Sequence, residues 1–203
     1  MMPAMARPTA PEVALQATLT VRPVTPALAG QLRAMRVEPG QYGYVGDIQA
    51  ALVEAEGDPH CEAMAVLLGE RVVGFYRIAL APLDAGLAPP TEARATLRGL
   101  CIARELQGRG LGTRALRACI DDLRRRHPQL RLLSVSVDCG NRRAIEVYRS
   151  AGFADTGIWH FGATMPRQMM QLRLQGTLPQ DRLSQGTPSQ GTPSRQLLPR
   201  DRR

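Results

Sequence analysis

Gln107-Gly108-Arg109-Gly110-Leu111-Gly112-Thr113 is the stretch on which the fold turns. An apolar run, Leu97 to Ile102, precedes it. Apolar residues at Leu111, Ala115, Leu116, Cys119, Ile120 and Leu123 follow it at helical spacing. The order is therefore strand, glycine-rich turn, helix. Glycine has no Cβ, so such a turn can bring several backbone N–H groups to bear on one ligand. The first N–H groups of the helix have no partner within it, and the positive end of the helix dipole lies behind them. That arrangement binds phosphate.

Two familiar phosphate loops can be set against this stretch. A P-loop ends in Gly-Lys-Ser/Thr, because the lysine reaches the phosphates and the hydroxyl holds a metal. Gly112-Thr113 lacks that lysine, and the chain contains no lysine at all. A dinucleotide fingerprint places G-x-G-x-x-G after a first strand. Here the glycines fall at 108, 110 and 112, in mid-chain. Asp138, at the end of the next strand, is the one feature in favour of that reading.

Outward from the loop, the chain alternates strands and helices. Leu19 to Pro23 alternates apolar and polar residues as a strand does, and Pro26 suits the first turn of a helix to about Arg36. Tyr42-Gly43-Tyr44-Val45-Gly46 reads as a loop. A helix from about Asp47 to Glu56 stops at Gly57-Asp58-Pro59. Ala63–Leu68 and Val72–Leu80 form a hairpin through Gly69-Glu70, with Gly74 marking a bulge or a close backbone approach. Proline-rich Ala81–Pro90 is a loop. After the central helix, which ends near His127-Pro128, come a strand at Arg131–Val137 and a turn at Asp138-Cys139-Gly140. Asn141 caps a helix that closes at Gly152. Phe153 to about Trp159 and Gln168–Leu174 are the last strands.

Residues 1–17 are rich in proline and alanine and read as a disordered extension. Residues 176–203 read as a disordered tail, where Ser184–Pro188 repeats as Ser189–Pro193. Residues 18–175 form the domain.

The formal charge is +8, and all 26 basic residues are arginine. The segment from Thr177 carries five Arg and two Asp, so +3 of that charge sits in the tail. A solvated basic surface explains the excess better than a nucleic-acid partner. The four cysteines, Cys61, Cys101, Cys119 and Cys139, form no CxxC pair and no metal-ligand spacing with the three histidines, so no metal is expected and the thiols read as reduced. No stretch reaches the ~18 apolar residues of a membrane span. The expected location is the cytoplasm.

Two signatures together resemble the GNAT N-acetyltransferase family. Its acetyl-CoA loop is Arg/Gln-x-x-Gly-x-Gly/Ala, which Gln107–Gly112 matches in full. Its second signature is a strand, an Asn near a helix start, then Tyr and Gly-Phe, as in Val137 to Phe153 through Asn141, Tyr148 and Gly152-Phe153. The resemblance covers roughly residues 18–175. It implies an α/β (α+β) GNAT fold, with a mixed central sheet of about six to seven strands, about four flanking helices and splayed central parallel strands. A looser resemblance links Gln41–Val45, Pro59-His60-Cys61 and Met165–Met170 to the small-polyamine branch. Arg98-Gly99 departs from that branch.

The resemblance implies acetyl-CoA as cosubstrate and direct transfer of its acetyl group to a primary amine on a small molecule or a peptide. The loop Gln107, Gly108, Arg109, Gly110, Leu111, Gly112 and Thr113 would take the pyrophosphate, helped by Arg114 and Arg117. The strand end Leu100, Cys101 and Ile102 would lie beside the pantetheine arm, with an N–H near Ile102 polarising the thioester carbonyl. Asn141 would contact CoA, and Tyr148 would be the general acid. A phenol near pKa 10 can protonate a thiolate whose own value is about 8.5. Glu38, Asp47, Glu62 and Glu92 are the carboxylates available as a base. Arginine-rich surroundings argue against a polyamine acceptor. A binding module of the same fold, without turnover, is the alternative, and a homodimer stays open.

Overall fold

A computed structural model describes residues 17–80, 92–161 and 166–175. The expectations for residues 1–16, for Ala81–Pro90 and for the tail from 176 lie outside the described residues. The elements run β1 (Leu19–Pro23), α1 (Pro26–Ala34), α2 (Tyr42–Val45), α3 (Ile48–Gly57), β2 (Cys61–Leu68), β3 (Arg71–Leu80), β4 (Arg94–Ile102), α4 (Leu111–Arg126), β5 (Leu132–Asp138), α5 (Arg142–Ser150), β6 (Ala154–Phe161) and β7 (Pro166–Arg173). The Tyr42–Gly46 loop contains a single α-helical turn, α2, led in by a 3₁₀ turn at Pro39–Gln41. Gly43 and a glycine terminator at φ 77° hide that turn from a periodicity reading.

The seven strands form one mixed sheet in the order β1-β2-β3-β4-β5-β7-β6. Among the described residues only β4 and β5 pair in parallel, and α4 is the crossover that a parallel pair requires. Successive strand residues point to opposite faces, and the core divides accordingly. Met64, Val66, Tyr76, Ile78, Leu97, Leu133 and Val135 pack with Leu116, Cys119, Leu123 and Tyr148 on the α4–α5 face. Ala65, Leu67, Phe75 and Cys101 pack with Leu32 of α1 and Leu52 of α3 on the other.

Helix boundaries follow local chemistry. Thr25 and Asp47 cap α1 and α3, accepting from Leu28 N at 3.4 Å and from Gln49 N at 2.6 Å. The α5 cap is Asn141, whose Oδ1 accepts from Ala144 N at 3.1 Å. Gly74 is both a bulge and a close approach. The β2–β3 register shifts beside it, and a Cβ there would sit 2.5 Å from the Cys101 carbonyl oxygen.

Candidate active site

The N-terminus of α4 is built to leave its amides open. Gly108 and Gly110 adopt φ of 77° and 73°, a left-handed backbone that favours glycine. Gly110 is the N-cap residue, and among the described residues no side chain caps the helix. A Cβ added at Gly108, Gly110 or Gly112 would meet nothing within 4 Å. Among the described residues the space in front of the loop is therefore open to a ligand, and the first amides of the helix, without a partner there, face it. Gln107 fixes the loop to its surroundings. Its Nε2 donates to the Ile102 carbonyl at 2.8 Å and to Gln41 Oε1 at 2.9 Å, joining the loop to the end of β4 and to the segment before α2.

Beside the loop the sheet opens. Parallel pairing of β4 with β5 ends at Leu97 opposite Val135, although the strands continue to Ile102 and Asp138. A bulge at Gly99-Leu100 shifts the β3–β4 register, and Gly99 has φ 62°. Such a bulge turns backbone groups away from the ladder, here next to a partner strand that has already separated. The expected splay of the central parallel strands is present.

The gap opens into a cleft of about 960 Å³ that reaches both faces of the sheet. On the α4–α5 face its walls include Leu111, Thr113, Asn141, Val147 and Tyr148; on the other they include Tyr44, Arg77, Arg98, Asp138 and Arg167. Tyr148 is 8% exposed, with its ring 5.4 Å from that of Phe153. Burial, and secondarily the nearby Cys119 sulfur, pushes its phenol up to about 12.

Of the residues singled out from sequence, Leu100, Cys101, Ile102, Gln107, Gly108, Gly110, Leu111, Gly112, Thr113, Asn141 and Tyr148 all line this cleft. Arg109 is exposed and is not among the lining residues, nor are Arg114 and Arg117. Arg114 instead donates to the Ala17 carbonyl at 2.8 Å. Cys101 borders the cleft with its thiol turned to the Phe75 carbonyl, 3.7 Å away, and burial pushes that thiol up to about 12. Burial thus favours the thiol over the thiolate, the form that attacks.

None of the four carboxylates considered as a base lines the cleft. Glu38 pairs with Arg104 at 2.8 Å, and Glu92 with Arg173 at 3.3 Å. Glu62 meets Arg126 at 2.8 Å and His127 at 3.0 Å, while Asp47 caps α3. The carboxylates of the lining are Asp138 and Glu146. Asp138 is 8% exposed, and its Oδ1 accepts from Gly140 N at 2.8 Å. In the sequence Asp138 stands between a strand end and a turn, Arg167 lies within Met165–Met170, and no motif marks either of them or Arg77 as facing a common site. The alternation of strand residues was the available signal, but it gave no register across strands. Among the described residues no group of His, Cys, Asp and Glu is placed to hold a metal ion.

Comparison with curated protein sequences returns no match. Solved structures with the same fold include the aminoglycoside acetyltransferase AAC(6')-Ib in complex with coenzyme A, with a TM-score of 0.59 at 20% identity, covering 77% of this chain and 95% of that one. An acetyltransferase from Thermus thermophilus gives 0.55 at 24% identity, over 77% and 97%. An aminoglycoside N(6')acetyltransferase from Legionella pneumophila gives 0.62 at 16% identity, over 78% and 94%. The sequence pattern of the Acetyltransferase (GNAT) family matches residues 31–153, a span holding both the open glycine loop and Tyr148, and the chain belongs to that family of acetyl-transferring enzymes.

Proposed function

We propose that the protein moves the acetyl group of acetyl-CoA to a primary amine by direct attack, with Tyr148 as general acid. The observation that carries this reading is one continuous cleft. It joins the uncapped start of α4, the freed edge of β4 and the Tyr148 side chain. Acetyl-CoA supplies an already activated thioester, so the protein's task is to align two reactants. Residues 108–113 would hold the pyrophosphate through backbone amides; the empty space before Gly108, Gly110 and Gly112 fits such a group. Leu100, Cys101 and Ile102 would pair through their backbone with the amide-bearing arm, in place of the missing β5 partner. An N–H near Ile102 would polarise the thioester carbonyl. Asn141 would keep its capping bond and line the arm's path. Tyr148 holds its proton at neutral pH and would deliver it to the departing sulfur as the amine nitrogen takes the acetyl carbon. The amine's own proton would leave to solvent.

This reading is tested by free-thiol release with acetyl-CoA and a panel of amines comprising amino acids, peptides, polyamines and aminoglycosides. Release above the blank with at least one amine is expected. Tight acetyl-CoA binding with no release from any amine would instead identify a binding module of the same fold.

A further inference from the structure

We infer that the acceptor amine also carries a carboxylate, held by Arg77, Arg98 and Arg167 on the sheet face away from Tyr148. The inference rests on the acetyl-transfer reading above and narrows its acceptor.

Strand register sets out this face. Arg77 of β3 lies opposite Arg98 of β4, and Arg167 of β7 lies opposite Asp138 of β5. Thr96 pairs with Ser134, so Ser136 and Asp138 share the face of Thr96 and Arg98. Helices α1 and α3 pack on this side over β2 and β3, while Ser136 and Asp138 of β5 and Arg167 of β7 form a wall of the cleft among the described residues.

The charges on that wall are unbalanced. Like charges set directly opposite each other on neighbouring strands destabilise a sheet. Arg77 and Arg98 are so placed, and Glu54 answers only the first, at 2.6 Å. The Arg77 side chain is only 14% exposed, and its Nε is buried without a hydrogen-bond partner among the described residues. Arg98 and Arg167 form no ion pair among the described residues. A planar carboxylate is the ligand that guanidinium groups match, with two parallel N–H donors on each fork. It would satisfy the Nε of Arg77 and relieve its repulsion with Arg98 together. The amine of the same molecule needs an acceptor, and Asp138 offers one. Its Oδ1 is committed to Gly140 N, and its Oδ2 has no partner among the described residues. A polycation would meet three guanidinium groups and one available carboxylate on this wall. The remaining charges of the lining, Arg143 and Glu146, are both on α5 and offset each other.

The test compares matched acceptors in the thiol-release assay on the full-length protein. Each amino acid is set against its carboxamide and against the amine lacking the carboxyl group, with spermidine and kanamycin as cationic arms. At least one amino acid should exceed its carboxamide by about tenfold or more in kcat/KM, as expected for loss of a charge-assisted pair. Arg98 is exposed and faces a like charge in Arg77, so Arg98→Gln should fold with a Tm no lower than that of the parent protein. In Arg98→Gln, KM for that amino acid should rise about tenfold and its preference over the carboxamide should collapse. Turnover of amides or polycations as good as that of the carboxylates overturns the inference and leaves acetyl transfer standing. So does an Arg98→Gln protein with an undiminished preference. Bound acetyl-CoA with no thiol release from any arm overturns the transfer reading itself, and the inference with it.

Discussion

Tyr148 owes its raised phenol to burial, and that burial has two measurable consequences. The neutral form is the one the folded protein favours. With an ordinary value near 10 in the unfolded chain and about 12 in the fold, the associated stability is complete below pH 10 and is lost as pH rises from 10 through 12. The proposed proton donor is therefore fully loaded across the neutral range. The pH profile of kcat/KM should rise as the acceptor amine loses its proton, with no falling limb below about pH 10. A falling limb near neutrality would point to a different acid. Tyr148→Phe should lower turnover at least about tenfold and leave acetyl-CoA affinity nearly unchanged, measured by thiol release and by calorimetry side by side. An unaltered rate would remove Tyr148 from the chemistry. Its assignment was legible in the sequence because Asn141, Tyr148 and Gly152-Phe153 lie within a few turns of one another, where spacing alone fixes relative position. No local pattern marks a base in the same way. Glu38, Glu62 and Glu92 looked available in one dimension, and arginines distant in the chain occupy all three.

At the scale of elements, the strand–loop–helix unit β4–α4 combines two backbone devices, a freed strand edge and an uncapped helix start. Both depend on glycine. A valine at position 110 would need φ near 73° and would project its branches into the space before the amides. Gly110→Val should abolish acetyl-CoA binding, read by calorimetry, while circular dichroism still reports a folded protein. Retained affinity would mean that the loop is not the donor site. Gly74 acts from the neighbouring strand. A Cβ there would lie 2.5 Å from the Cys101 carbonyl oxygen and 2.9 Å from Ile102 Cδ1. Gly74→Ala should lower stability by ~1–3 kcal/mol in urea unfolding, by forcing β3 away from the end of β4. Periodicity revealed these elements because each is continuous in the chain. The bulge at Gly99-Leu100 escaped it, since a bulge is defined by the partner strand, and only the pairing with Phe75 and Arg77 exposes it.

For the whole molecule, the family and the mixed sheet were readable because the two signature segments are long, local and patterned. The wall of Arg77, Arg98, Asp138 and Arg167 was not, because its residues come from four strands and meet only through register. The sequence-wide excess of arginine pointed to a diffuse basic surface. In the fold, several of those arginines converge at the mouth of one cleft. The opening between β4 and β5 has a consequence for the order of events. A slot that passes through a sheet gives the two reactants separate entrances, so neither must leave before the other arrives. Initial-rate plots at varied acetyl-CoA and acceptor should therefore intersect, the mark of a ternary complex, and CoA should inhibit competitively only against acetyl-CoA. Parallel lines would mean that the acetyl group is first parked on the protein, and would send the search back to its cysteines.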